Sequence, residues 1–194
     1  MLPVVLTSLL ACGPANIQSK AGAPFNIKGV SNALFAFEDG SDARYGSAVG
    51  LLTTEPTDCK QLLEMRYTWD LAEILTKGDG LFFVLDYSNY EAERGGSPPS
   101  WEGLWMSGYS VSVDADEYRT SAVGLFHDGY LYAGGYYGGS SGFVDIREAD
   151  DSTVSGRFDH MYWKGTFKAE NCGGFGESGD AADTAWWGSS TWSY

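Results

Sequence analysis

TVSGRFDHMYWKGTFKAENC, residues Thr153 to Cys172, decides how the rest of the chain is read. It holds an internal echo, Ser155-Gly156-Arg157-Phe158 and Lys164-Gly165-Thr166-Phe167, and it ends on a cysteine. In each copy a phenylalanine follows a glycine by two residues, the period that sets both on one face of a strand. The copies lie so close in sequence that little chain remains for a loop, which counts against pairing them as a hairpin. Upstream, the sequence reads as β-sheet able to pack on this segment. Downstream, it reads as tail.

The 194 residues are enough for one domain with a sizeable core plus terminal extras. Hydrophobic content of 43% excludes a disordered chain, and 15% aromatics with 26 glycines favour short, aromatic-rich strands joined by many turns. Twelve basic residues stand against 26 acidic ones, a net charge of -14. That field opposes nucleic acid and an anionic membrane surface as partners by charge, favours a cation or a neutral ligand, and no nucleic-acid role is expected. After the first eleven residues no apolar run reaches transmembrane length.

Strand signals recur along the body. Pro24 to Glu38 carries Phe25, Ile27, Leu34, Phe35 and Phe37, then breaks at Asp39-Gly40; Gly46 to Thr54 returns as a hairpin partner. A short helix is expected over 57–64, with Thr57 or Asp58 as N-cap and Gln61 as the reciprocal partner of an Asp58 cap. Residues 67–75 fit strand or helix. Leu81 to Tyr87, LFFVLDY, reads as a central strand covered on both faces, because its apolar run does not alternate. A polar loop over 88–100 follows. Strands are expected over 101–113, 119–126, 130–132 and 143–147, with Asp128-Gly129 as a hairpin turn. Many short strands and one short helix point to an antiparallel β-sandwich, with a small β-barrel as the alternative.

Met1 to Ala11 is an apolar leader too short to span a bilayer, and it runs into Leu9-Leu10-Ala11-Cys12-Gly13. These five residues resemble the lipobox of bacterial lipoprotein precursors. The resemblance implies a signal peptide over 1–11, cleavage before Cys12 and acylation of its thiol, so that the lipid bilayer is a partner. Residues 12–23 then form a lipid-anchored tether, 24–172 the β-rich domain and 173–194 a flexible tail. Export permits disulfides. With Cys12 lipidated, Cys59 and Cys172 are the remaining pair, and a bridge closing a loop of roughly a hundred residues contributes about 4–5 kcal/mol by chain entropy.

Chemistry is sparse by comparison. The two histidines, His127 and His160, have no Gly-x-Ser-x-Gly or zinc-ligand spacing around them, so surface or strand-edge roles are expected. Carboxylates cluster at Asp39–Asp42, Asp114–Glu117 and Glu148–Asp151; weak calcium binding at Asp114 and Asp116 is the one metal expectation, and no other cofactor is foreseen. Trp101, Tyr136 and Tyr137 lie in or beside glycine-rich loops, where flat rings could stack on a sugar.

The ending Gly165-Thr166-Phe167-Lys168-Ala169-x-x-Cys172, together with the lipobox and the Cys59 region, resembles uncharacterised lipoproteins of Gram-negative bacteria, of the myxobacterial kind. That resemblance implies a β-rich body at the outer membrane or cell surface, with no reaction attached. The expected function is a non-catalytic, membrane-anchored domain with a structural or interaction role, binding an envelope protein or a glycan. A carbohydrate-binding module is the alternative, and an acid/base hydrolase comes third.

Overall fold

The computed structural model describes residues 13–38, 45–64, 77–89, 100–107, 111–114, 117–128, 130–132, 142–160 and 162–175. The apolar run around Leu81 sits at the centre, in β4 (Asp79–Asn89), between β3 (Tyr45–Thr53) and β7 (Glu117–His127), both antiparallel to it. Its lack of alternation has a simple cause. Leu81, Phe83, Leu85 and Tyr87 face one apolar cluster, and Phe82 and Val84 face another on the opposite side of the sheet.

Beyond β3 lies β2 (Asn32–Glu38), and beyond β7 come β5 (Gly103–Ser107), β9 (Gly142–Ala149), β10 (Thr153–Asp159) and β11 (Trp163–Phe175). The far end of β11 then runs parallel to β2, from Glu170 beside Leu34 to Phe175 beside Glu38. The sheet therefore closes on itself as an eight-stranded barrel. This is the barrel alternative and not the two-sheet sandwich that the sequence favours. Two parallel seams make the closure, β2–β11 and the short β5–β7 contact at Met106–Thr120 and Ser107–Ser121. Outside the ring, β6 (Val111–Asp114) and β8 (Tyr130–Tyr132) pair with the two ends of β7, and β1 (Ala15–Ser19) lies along the first half of β11. The sheet thus reaches past 24–172 on both sides, into the segment expected as a tether and three residues beyond Cys172.

The glycine-phenylalanine echo acquires its meaning here. Strands β10 and β11 do pair as a hairpin, and the His160 and Trp163 backbones bond to each other at its end, at 2.8 and 3.3 Å. Gly156 stands opposite Phe167, and Gly165 stands opposite Phe158. Each ring covers the other copy's glycine: a Cβ on Gly156 would lie 2.8 Å from Phe167 Cζ, and one on Gly165 3.1 Å from Phe158 Cε1. Both rings then reach Phe83 in the barrel interior, with centroids 5.1 and 5.7 Å away. Phe35, Trp105, Val144 and Ile146 fill the remaining space, each almost wholly buried. At eight strands the interior is wide enough for packed side chains, and aromatic side chains occupy it.

The second cluster is on the outside. Leu34, Val49, Leu51, Phe82 and Phe126 form an apolar patch on the outer wall, over which α1 (Cys59–Glu64) lays Leu62. The helix starts as its sequence predicts: Asp58 Oδ1 accepts from the Gln61 amide at 2.9 Å, and Gln61 Oε1 accepts from the Asp58 amide at 3.0 Å. A Cys59–Cys172 disulfide, Cα atoms 5.1 Å apart, fastens the helix to β11.

Candidate functional site

The barrel has two ends, and the aromatic and titratable residues divide between them. At one end Trp101 stacks on Trp105 at 5.4 Å and 18°, and also meets Phe37 at 5.1 Å. The Trp105 indole donates to the Trp101 carbonyl at 3.1 Å. Arg119 lies over the Trp105 ring at 5.0 Å and donates to the Glu102 carbonyl at 2.7 Å. Trp101 is therefore a half-buried stopper, held on one face by another indole, and not a free stacking platform. Tyr136 and Tyr137, its expected companions, lie outside the described residues.

The other end is closed by residues 20–31, which bury Ile27 and Val30 and place Phe25 flat on His127 at 4.0 Å and 14°. Phe25 also reaches Trp163, at 5.7 Å. Strand register brings Asp79, the first residue of β4, opposite His127, the last of β7, and Asp79 Oδ1 sits 2.7 Å from His127 Nδ1. The other ring nitrogen faces Asp128 Oδ2 at 3.8 Å. Asp128 holds a left-handed backbone, φ 48°, as the Asp-Gly turn signal requires. A carboxylate on Nδ1 fixes the ring and its tautomer. Asp79, His127 and Asp128 offer one nitrogen and two carboxylates within 4.8 Å, a hard-leaning donor set. Among the described residues no other potential ligand joins them, and no hydroxyl or thiol bonds to His127, so a nucleophile–base pair is not assembled there.

His160 stands at this same end but inside the wall. It is 4% exposed and its Nε2 has no hydrogen-bond partner, and the same holds for Nε1 of Trp163 at 3% exposure. Burial pushes the His160 imidazole below the ordinary histidine value, the nearby Lys20 ammonium adds to this, and Asp159 opposes it. Lys20 and Asp159 are themselves an ion pair across the hairpin end. The surface or strand-edge role expected for His160 is thus corrected to a buried one.

Of the acidic clusters, that at 148–151 serves a turn. The Asp150 carboxylate accepts from the Ser152 hydroxyl at 2.7 Å, and from the Ser152 and Thr153 amides at 2.8 Å each. These bonds, the Ser152 hydroxyl foremost, bring its pKa down to about 2. Asp114 ends β6, but its carboxylate and Asp116 are outside the described residues, as is Cys12. The Asp79–His127 contact was missed in the sequence because it joins two turn-flanking residues 48 positions apart. Its signal was that each borders a Gly-Asp or Asp-Gly turn at the end of a strong strand. Comparisons with known protein families, with curated proteins and with solved structures return no match.

Proposed function

We propose that the chain is an exported, lipid-anchored envelope protein whose barrel is a non-catalytic module with a structural or interaction role. The observation that carries this reading is a filled, closed barrel held to its outer helix by a disulfide. Aromatic side chains occupy the volume that a ligand-carrying barrel of this size would leave open, and stoppers cover both ends. Among the described residues, the outer wall is the broad surface left to partners. The Cys59–Cys172 bridge belongs to an oxidising compartment, in keeping with a leader that ends at a lipobox. Labelled palmitate should enter the wild-type protein and not the Cys12→Ser variant, which should move from the membrane to the soluble fraction. A wild type that is already soluble and unlabelled refutes the anchor.

Glycan binding is the second reading. It draws on Tyr130, 71% exposed, which pairs across the hairpin from His127. Titrating the protein with a panel of glycans while following tryptophan fluorescence tests it, and a flat response to every sugar sinks it.

A further inference from the structure

Chain geometry ties the proposed anchor to one particular wall of the barrel. Cys12 is followed directly by fastened backbone: the Pro14 carbonyl accepts from the Lys168 amide at 2.8 Å, and residues Ala15 to Ser19 pair with Phe167 to Trp163. Two residue steps separate Cys12 from Pro14, a reach of about 7 Å at full extension. An acylated Cys12 therefore keeps the start of β1, and Lys168 beside it, close to the headgroups.

The wall of β1, β11 and β10 differs in charge from the rest of the molecule. Its outward positions carry Arg157, Lys164 and Lys168, and Lys20 reaches it through Asp159. Against these stand Asp159 and Glu170, with Asp145 of the neighbouring β9 beside Arg157. Four cations thus meet two carboxylates on this wall, in a chain where 26 acidic residues outnumber 12 basic ones. Asp145 is held by Arg157 at 2.8 Å, and Asp159 by Lys20, which leaves the ammonium groups of Lys164 and Lys168 exposed on either side of Thr166. The neighbouring outward residues of β1, Asn16 and Gln18, are uncharged. We infer that the β1–β11–β10 wall is a membrane-docking surface, on which Lys164 and Lys168 bind the anionic phospholipid headgroups around the Cys12 anchor.

The inference rests on the lipid-anchor reading and adds to it the face that is presented. Cations this close to a headgroup plane lie within its unscreened field, and each basic residue there strengthens attachment by about fivefold.

Lysine footprinting tests the surface with the full-length protein. Lipidated wild type on vesicles of phosphatidylglycerol and phosphatidylethanolamine, and the soluble Cys12→Ser variant, are treated with an amine-acylating reagent and read by mass spectrometry. Lys164 and Lys168 should be protected at least fivefold on vesicles, and Lys77, exposed beside the β3–β4 connection, should be unchanged. Protein that floats with the vesicles while all three lysines react equally overturns the docking surface and leaves the anchor standing. Wild type that does not float overturns both. Equal protection on pure phosphatidylcholine overturns headgroup recognition by charge.

Discussion

Replacing Gly124 with alanine would place a methyl carbon 1.8 Å from Phe82 Cζ and 1.9 Å from Cε1, on the outer wall where the two residues stand directly opposite one another. The glycine is not there for backbone freedom, since its φ is not among the left-handed ones. It is there because the Phe82 ring lies across it. That ring is 4% exposed and leans on Phe126, centroid to centroid 5.7 Å, so it has no free volume into which to retreat. Overpacking of this kind costs about 1–3 kcal/mol, and complete loss of a buried phenylalanine ring costs about 3–5 kcal/mol, which bounds the effect from above. We expect Gly124→Ala to lower stability by about 2–3 kcal/mol, or roughly 4–12 °C in melting temperature for a chain of this size. Urea denaturation of Gly124→Ala, Phe82→Leu and the double variant measures both the cost and its origin. The shorter leucine makes room for the new methyl, so the double variant should be more stable than the sum of the singles by about 1–3 kcal/mol. A neutral Gly124→Ala, or strictly additive singles, would falsify the packing described for this wall.

Two further outcomes are expected. Changing Cys59 and Cys172 together to serine should cost up to about 4–5 kcal/mol, read as a lower urea midpoint, with hydrogen exchange rising first in α1. A midpoint indifferent to reductant contradicts the bridge. His160 makes stability depend on pH: its folded-state pKa lies below the ordinary 6.5, so the unfolded chain takes up the proton more readily. Stability is therefore full above about pH 6.5 and declines as pH falls from there towards the folded value. His160→Gln should flatten that part of the curve, and an unchanged slope assigns it to other groups.

How much of this was legible depends on how local the physics is. The Asp58–Gln61 cap, the Asp-Gly turn at Asp128 and the two-sided burial of Leu81 to Tyr87 are short-range effects, and the sequence spells them out. Barrel closure is different. It depends on Glu170 lying beside Leu34 in a parallel pair, and neither strand differs in composition from one at an open edge. Strand β1 was equally hidden, because ANIQS carries too little apolar alternation to announce itself and is recruited by the bare edge of β11. The echo was visible but its use was not, since the exchange of rings and glycines exists only in the β10–β11 register. In the same way Trp101 read as a loop aromatic until Trp105 and Phe37 were found against it. His127 and Asp79 acquired each other only through strand order.

Strand β11 is the partner of β10, β1 and β2, so it is shared by the beginning and the end of the chain. Until residues 163–175 are in place, β1 has no neighbour in the sheet and β2 has one bare edge. A chain that emerges from its N-terminus can build the β2–β3–β4–β7 meander early but cannot shut the ring. Contacts between strands more than a hundred residues apart also form slowly, because a long loop must be ordered before they reward it. The barrel thus stays an open, threadable sheet for most of its synthesis and becomes a closed object only when its last strand arrives.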